Sequence, residues 1–353
     1  MAEYVGLDVS KEETSFCVMD VSGKVLSSGK VLSDPDALFA MLRRHTLCPE
    51  RIVLETGTLS NWLARGLRSY RLPVDVIDAR KAHAVMKLQR NKTDGSDAEL
   101  LASIARTGFY LPVPVSSEAS QEQRILIKAR RHLVNQRRDT QNAIRGFLTS
   151  LGLRFPKGSG KLASRVEVAL AARPDLAVMI APLLASAEAQ KVEIKRLDQA
   201  IKARAQENEA CRNLMTIPGI AHNSALAFVA TIGDATRFES SRAVGAYLGM
   251  TPRRHQSGEM DYTGRISKQG DALLRSLLYE AANSLLTVVK KSHPLKAHPS
   301  KDPARRIKRR SSHKKACVAL ARKLAVIMHR MVITGEPFRW PETKTETATG
   351  TSA

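Results

Sequence analysis

The stretch Tyr4-Val5-Gly6-Leu7-Asp8-Val9 is a short apolar run that carries a single carboxylate near its end, and Ile52-Val53-Leu54-Glu55 repeats this pattern. Short runs of apolar and β-branched residues are typical of buried strands. Both runs therefore predict strands, with Asp8 and Glu55 at the ends of the two strands.

The segments around these two runs predict the rest of a sheet. Strands are predicted at 14–20, 24–32 and 73–78, and helices at 36–45, 60–70, 79–90 and 96–106. Three antiparallel strands followed by alternating helices and strands match the ribonuclease-H-like order, a mixed sheet with helices on both faces. We therefore predict an α/β domain over residues 1–110.

The remaining chain predicts mostly helix. Residues 116–210 contain two helix-forming stretches around a Gly/Pro break at 156–160, with the second long helix predicted at roughly 181–209. This arrangement favours a helical hairpin or coiled-coil arm. Such an arm could be a structural spacer or a dimerisation element. Residues 211–335 form a third, mostly α-helical unit, and the polar, Thr-rich residues 341–353 are expected to be a disordered tail.

The charge is distributed very unevenly. Residues 1–110 hold 15 Lys and Arg against 14 Asp and Glu, whereas residues 111–353 hold 41 against 20, so almost all of the net charge of +22 lies in the second range. A polycation of this kind concentrates on phosphate in a salt-dependent way. Nucleic acid is the expected partner, and a basic protein with another role is the alternative.

Cysteine usage and hydropathy indicate the compartment. The four cysteines form no C-x-x-C pair, which predicts neither a zinc site nor a disulfide framework. No apolar run approaches the ~20 residues that span a bilayer. The chain begins directly with a strand pattern, so we expect a cytoplasmic, nucleoid-associated protein without a membrane partner.

An acidic quartet is the main candidate for catalysis. It consists of Asp8, Glu55, Asp94 and Asp97. Asp94 and Asp97 are three residues apart at the predicted start of a helix and would share one helix face. Divalent metals that act on phosphodiesters need hard oxygen ligands from separate elements. The quartet predicts a two-metal Mg²⁺ site, with Mn²⁺ as the alternative ion.

A Pro-Gly turn precedes an apolar helix in the third unit. Met215-Thr216-Ile217-Pro218-Gly219-Ile220-Ala221 resembles the turn of a helix-hairpin-helix, in which backbone N–H groups near Gly219 bind a phosphate without reading sequence. A plain turn between two helices is the alternative.

Two Gly-bounded loops carry cations around one serine. Arg253 and Arg254 precede Ser257, and Arg265 and Lys268 follow it. Cations grouped in this way suit a phosphate oxyanion and can assist a hydroxyl nucleophile. By itself Ser257 is one of many loop serines.

A basic stretch lies between 301 and 315. Its phosphate-binding candidates are Arg305, Arg306, Lys308, Arg309 and Arg310, against the single acid Asp302. It predicts a nucleic-acid contact that orders on binding, with a solvated charge run as the alternative.

Taken together, these motifs resemble the DEDD-motif transposases of bacterial insertion sequences that are related to the Piv DNA invertase. The matching segments are Gly6-Leu7-Asp8, Asn91-Lys92-Thr93-Asp94-Gly95-Ser96-Asp97-Ala98, Ile217-Pro218-Gly219-Ile220, Gly249-Met250-Thr251-Pro252-Arg253-Arg254 and Ser267-Lys268-x-Gly270. The resemblance covers nearly the whole chain. One departure is that Glu55-Thr56-Gly57 is one residue shorter than the Glu-Ala-(Ser/Thr)-Gly that the family often has.

The resemblance implies a function. Residues 1–110 would be a RuvC-like catalytic domain, residues 211–335 a transposase domain, and Ser257 the nucleophile that joins to DNA. Members of the family recombine donor and target DNA under a structured non-coding guide RNA, and they assemble as dimers that pair into tetramers. The expected enzyme is therefore a transposase that cuts and rejoins DNA by phosphoryl transfer.

The residues alone leave three other functions open. The first is a RuvC-like junction endonuclease in which water attacks, and the second is a non-catalytic nucleic-acid-binding protein. The third is a sugar kinase or actin-like ATPase, since Gly6-Leu7-Asp8-Val9-Ser10 resembles a phosphate loop. Such a loop normally has a Gly soon after the Asp, and here Val9-Ser10-Lys11 follows.

Overall fold

A computed structural model describes residues 2–80, 82, 94–156, 158, 161–258, 260–287 and 312–339. The chain divides into two compact units, Met1–Ser117 and Glu118–Ala353. The predicted helix at 79–90 and the predicted tail at 341–353 lie almost wholly outside the described residues. The predicted boundary between 116–210 and 211–335 falls inside the second unit and stays a prediction.

The first unit contains a six-stranded mixed sheet. Its elements are β1 Glu3–Val9, β2 Glu13–Asp20, β3 Val25–Leu32, α1 Pro35–His45, β4 Pro49–Glu55, α2 Ser60–Ser69, β5 Val74–Ile77, α3 Asp94–Thr107 and β6 Pro112–Val113. The strand order is β3-β2-β1-β4-β5-β6. Strands β1 to β3 are antiparallel, whereas β4 runs parallel to both β1 and β5. The predicted mixed sheet is confirmed, and the short strand β6 is an addition.

The alternation of side chains along the central strands determines which helices cover each face of the sheet. Val5 and Leu7 of β1 are fully buried in one cluster with residues of α1 and α2, such as Leu38. Tyr4 packs instead in a cluster with Leu101 of α3. Because successive side chains of a strand point to opposite faces, helices cover both sides of the sheet, as the sequence predicted. Each fully buried side chain of this size contributes roughly 1.5–3 kcal/mol.

The start of α1 follows its sequence signal. Asp34 accepts hydrogen bonds from the backbone N–H groups of Asp36 and Ala37, at 2.9 and 3.1 Å, and Pro35 occupies the first turn. An Asp cap followed by Pro satisfies N–H groups that have no partner within the helix.

The second unit begins with a helical arm. It consists of α4 Glu118–Thr149, α5 Leu162–Leu170 and α6 Pro174–Glu207. Helices α4 and α6 pack against each other, and a cluster around Ile144, Val166 and Ile180 closes the far end of the arm. The predicted hairpin is therefore present, whereas coiled-coil packing stays a prediction.

The start of the second long helix was predicted wrongly. Helix α6 begins at Pro174 rather than near residue 181, and it carries Pro182 in its interior. A proline inside a helix removes a hydrogen bond and normally favours a boundary. Here Ile180 and Ala187 are buried on either side of Pro182, so packing keeps the helix continuous.

The rest of the second unit is a helical core with one β-hairpin. Its elements are α7 Glu209–Met215, α8 His222–Ile232, α9 Ala243–Tyr247, β7 Pro252–Ser257, β8 Met260–Ile266, α10 Ala272–Thr287 and α11 His313–Thr334. Phe228 of α8, Leu278 of α10 and Ala325 of α11 are fully buried in one cluster. The predicted helical character of the C-terminal region is confirmed, but the two predicted loops around Ser257 are the strands β7 and β8.

The cysteine side chains differ in their exposure. All four cysteines are free thiols, and only Cys48 is exposed. Among the described residues, no helix combines the length and the apolar character that crossing a bilayer requires.

Candidate active site

Asp8 and Glu55 lie at the same edge of the sheet. Strands β1 and β4 are parallel with Leu7 opposite Leu54, and each acid comes one residue later. Tyr4 and Val53 pack on the α3 side of the sheet, so Asp8 and Glu55, which are in phase with them, face that side too. Neighbouring parallel strands therefore place these two residues at the same end of the sheet.

Helix α3 lies directly on β1 at Gly6. A Cβ on Gly6 would come closer than 3.0 Å to the Ala98 carbonyl oxygen and to the Ala102 nitrogen. Only a residue without a side chain allows the two backbones to approach this closely. Gly6 thus sets the distance between the strand that carries Asp8 and the helix that begins with Asp94.

The direction of α3 places its first turn beside the two carboxylates. Arg51, near the start of β4, donates from Nη1 to the Ala105 carbonyl at 3.2 Å, and Arg106 donates from Nη1 to the Val21 carbonyl at 3.4 Å. Both contacts hold the carboxyl end of α3 at the sheet edge opposite Asp8. The helix is therefore antiparallel to β1.

The first turn of α3 carries the other two members of the quartet. Asp97 is 9% exposed, which is unusual for an aspartate. Asp94 is the first residue of α3, and its side chain lies outside the described part of the structure. The structure thus brings Asp8, Glu55 and Asp97 to one edge and one face of the sheet.

A fifth carboxylate lies at this edge, and it was not among the residues predicted from the sequence. Asp78 comes directly after β5, the parallel strand next to β4, and position alone could have identified it. Arg80 binds it with both ends of its guanidinium, from Nε at 3.1 Å and from Nη2 at 2.8 Å. The carboxylate of Asp78 raises the pKa of Arg80, chiefly through this hydrogen bond.

The side chains of the acidic quartet are of the type that binds a divalent metal, although the described ones do not form a preassembled metal site. Its four members offer only carboxylate oxygens, the donors that Mg²⁺ and Mn²⁺ prefer. Within the described side chains, no three His, Cys, Asp or Glu residues are grouped closely enough to hold an ion. The ligand roles of Asp8, Glu55, Asp94 and Asp97 therefore stay proposals.

Ser257 lies in the second unit, at the tip of the β7–β8 hairpin. It is the last residue of β7, it pairs with Met260, and it is exposed. Gly258 follows with a φ of 56°, the left-handed conformation that a tight hairpin turn requires. The hairpin therefore presents the Ser257 hydroxyl at the end of a defined element.

Two glycines hold the base of this hairpin. A Cβ on Gly249 would collide with the backbone of Gln269, and one on Gly270 would collide with the Tyr247 carbonyl oxygen. Both glycines have positive φ, at 67° and 88°. Their close approach allows the Lys268 N–H to donate to the Gly249 carbonyl at 3.0 Å. This contact joins the two Gly-containing segments at the base of the hairpin.

The four predicted cations around Ser257 have different environments. Arg254 forms a bidentate pair with Asp261, at 2.9 and 2.6 Å, and its guanidinium lowers the pKa of that carboxyl. Arg253 donates from Nη2 to the Ser267 carbonyl at 3.3 Å, and its side chain is exposed. Arg265 and Lys268 are exposed as well. The grouping of these cations around Ser257 stays a prediction, and Arg254 already has an acidic partner.

The Pro-Gly turn joins two helices, as predicted. Gly219 has a φ of 85°, and a Cβ there would press on Leu285 and on the Ala281 carbonyl of α10. Ile217 and Ile220 on either side are buried. The turn is thus fixed in the core, and its phosphate contact stays a prediction. Arg305, Arg306, Lys308, Arg309 and Arg310 lie outside the described residues.

Comparison with known proteins defines the class of the chain. A DEDD transposase model of the IS110 type matches residues 5–152, and a model for transposases of the IS116/IS110/IS902 family matches residues 211–297. The first match contains the acidic edge of the sheet, and the second contains the Ser257 hairpin. The two matched regions are those of an insertion-sequence transposase.

Individual relatives are similar to the chain over different shares of its length. The chain is 30% identical over 343 residues to the transposase for insertion sequence element IS1111A of Coxiella burnetii, covering 95% of this chain and 91% of the relative. It is 30% identical over 304 residues to a putative transposase of Sinorhizobium fredii, covering 85% and 77%. A pilin gene-inverting protein of Moraxella bovis is 29% identical over 141 residues, 40% of this chain and 42% of that protein.

The chain belongs to the IS116/IS110/IS902 family of insertion-sequence transposases. The resemblance inferred from the sequence motifs is confirmed. A match of transposases along nearly the full length leaves the kinase or ATPase alternative without support.

Proposed function

We propose that this transposase cuts and rejoins DNA through a covalent link between Ser257 and a DNA phosphate, assisted by a metal-dependent acidic site. The observation that carries the proposal is the contact at Gly6. It sets α3 on β1 so that the helix start bearing Asp94 and Asp97 adjoins the strand ends bearing Asp8 and Glu55. Like charges repel, so carboxylates gathered at one sheet edge are more typical of a cation site than of a purely structural role.

The acidic residues would hold two Mg²⁺ ions, or Mn²⁺ in their place. Asp8 and Glu55 would contribute from neighbouring strands, and Asp94 and Asp97 from the first turn of α3. When bound, such ions stabilise the negative charge that develops on a phosphate undergoing substitution. The burial of Asp97 strengthens its interaction with a cation, since screening by water is weaker there.

Ser257 would be the nucleophile. The Ser257 hydroxyl gives up its proton as its oxygen attacks phosphorus. The new bond from serine oxygen to phosphorus forms as the bond from phosphorus to the 3′ oxygen breaks, and the departing 3′ oxygen takes up a proton. The reverse step, with a different 3′ hydroxyl, joins the exchanged strands. The phosphodiester is conserved as a phosphoserine ester, so the exchange needs no ATP. The exposed position of Ser257 at the hairpin tip suits attack on a large substrate.

Nucleic acid would be held by the basic second unit. Arg253, Arg265 and Lys268 are exposed near the hairpin and would contact phosphates, as would the Gly219 turn and the arginines between 305 and 310. Arg254 would first have to leave Asp261. The net charge of +21 over residues 111–353 suits a structured guide RNA in addition to donor and target DNA.

The far end of the arm supports self-association. Large apolar side chains there are at least half exposed, namely Phe147, Leu151, Val168, Val178 and Met179. Exposed apolar side chains that form a contiguous patch mark an interaction surface. We propose that the arm contributes to the dimers and tetramers that the family resemblance implies.

The experiment is covalent trapping. Full-length protein is incubated with Mg²⁺, the element's non-coding RNA and labelled donor-junction DNA, and the products are resolved on denaturing gels. We expect a protein–DNA adduct that is absent in Ser257→Ala and in Asp8→Ala. Thr263→Ala, an exposed position in the same hairpin, is the matched control and should keep the adduct.

Other outcomes would assign another activity. Free cut ends without an adduct, unchanged in Ser257→Ala, would identify a hydrolytic junction endonuclease. Binding without cleavage, with or without Mg²⁺, would identify a non-catalytic nucleic-acid-binding protein.

A further inference from the structure

The β7–β8 hairpin has two chemically different faces. Its register places Ser257 opposite Met260 and Gln256 opposite Asp261. Since side chains alternate along each strand, Ser257 shares a face with Met260 and, two residues further, with Tyr262. The ion pair between Arg254 and Asp261 occupies the opposite face.

The described side chains beside Ser257 on this face are exposed, and they are apolar, aromatic or cationic. Met260 is 67% and Tyr262 58% exposed. Arg253 joins them, because its Cβ lies 3.9 Å from the place where a Cβ on Gly264 would stand, and Gly264 is in phase with Tyr262. No residue of β7 or β8 on this face is acidic, so the one carboxylate of the two strands, Asp261, is turned away and paired.

This combination suits an unpaired DNA strand better than a protein surface. Aromatic rings stack on any nucleobase, and a neighbouring cation contacts the phosphates. Tyr262 lies diagonally across from Ser257, at about 7–8 Å between the two backbone positions. An aromatic side chain at such a diagonal position can still reach the surroundings of its neighbour. A strand whose phosphate reaches the Ser257 hydroxyl therefore brings a base over the Tyr262 ring.

We propose that Tyr262, supported by Met260, is a stacking platform for an unpaired nucleobase next to the phosphate that Ser257 attacks. The inference rests on the proposed role of Ser257, and it adds that the DNA substrate is unpaired next to the reacting phosphate. A base within a duplex is stacked on its neighbours and must leave the stack to be bound in this way. The platform would thus hold the reacting strand in an unpaired state during the exchange.

The test is photo-crosslinking combined with binding. Full-length protein is irradiated with a short single strand that carries 5-iododeoxyuridine, and crosslinked peptides are identified by mass spectrometry. We expect the crosslink on the peptide that contains Tyr262. By fluorescence anisotropy, Tyr262→Ala should bind the strand about fivefold or more weakly, whereas Tyr262→Phe should stay within about twofold of the wild type.

Matched variants separate the alternatives. Thr263→Ala, on the opposite face, should bind like the wild type, and circular dichroism checks that each variant is folded. Wild-type affinity in Tyr262→Ala, with crosslinks elsewhere, would overturn the platform. So would a change of oligomeric mass in Tyr262→Ala at unchanged affinity, which would assign the face to a second copy of the chain.

The two proposals can fail separately. A Tyr262 crosslink without any adduct at Ser257 would retain the platform and remove the nucleophile. An adduct that forms at the wild-type rate in Tyr262→Ala would retain the nucleophile and remove the platform.

Discussion

Gly6 of β1 and Ala98 of α3 meet through their backbones, so that no side chain fits between strand and helix at this point. The two residues lie close to Asp8 and Asp97 along their respective elements. The spacing of the acidic edge therefore depends on a residue that takes no part in chemistry.

Gly6→Ala is expected to destabilise the first unit by about 1–3 kcal/mol, because the added methyl group must push α3 away from the sheet. Urea unfolding measures the change. Gly57→Ala is the matched control, since a Cβ there would have nothing within 4 Å. An equal midpoint for both variants would contradict the close contact. Adduct formation should fall in Gly6→Ala even at temperatures where the protein stays folded.

Glu55→Gln is expected to lower the rate of DNA cleavage about a hundredfold or more, because the charge of a metal ligand contributes several kcal/mol to the transition state. Glu50→Gln provides the control, since Glu50 lies on the same strand at the opposite edge of the sheet. Single-turnover cleavage with labelled DNA compares the two. Similar losses in both variants would indicate a general effect on the fold and would remove Glu55 from the site.

Asp261 is expected to titrate below its ordinary pKa of 3.8, because Arg254 donates to its carboxylate. The pair stabilises the hairpin at pH values above the ordinary pKa, and this stabilisation is lost as the pH falls through the lowered value. Carboxyl NMR titration measures the midpoint in the wild type and in Arg254→Gln. The variant should shift the midpoint upward towards 3.8; an unchanged midpoint would mean that the pair does not form in solution.

Cys48 is expected to react with iodoacetamide long before the other three cysteines. Burial raises the pKa of the Cys211 thiol from 9.0 to about 12, and burial together with the charge of Glu99 raises that of Cys17 to about 11. The thiolate is the reactive form, so three pKa units reduce its fraction about a thousandfold. Mass spectrometry of the native protein after brief alkylation measures the order. Early labelling of Cys211 would contradict the buried core of the second unit.

Val168→Asp is expected to reduce the oligomeric mass without a loss of stability, because Val168 is 78% exposed and sits at the far end of the arm. Light scattering coupled to gel filtration measures the mass, and thermal unfolding measures the stability. Val192→Asp, which changes an exposed valine nearer the middle of α6, is the matched control. The same mass in the wild type and Val168→Asp would exclude the arm end from self-association.

Local patterns in the sequence determined much of this fold. Alternation and turn residues located β1 to β5 within a residue or two, and they placed Asp8 and Glu55 at strand ends, because these signals act between neighbours in the chain. The boundaries that failed depend on distant packing. Pro182 continues a helix because buried residues flank it, and β6 is too short to carry a pattern of its own.

The sequence by itself determined the mixed sheet, the acidic residues, the basic second unit and the family. Only the tertiary structure decided that α3 lies antiparallel to β1 at Gly6 and that Asp78, which is paired with Arg80, lies at the acidic edge. It also decided that Ser257 and Tyr262 share one face of a hairpin. The physical reason is that residue type and spacing encode local conformation. Which elements touch, and in which register, depends on contacts between residues far apart in the chain.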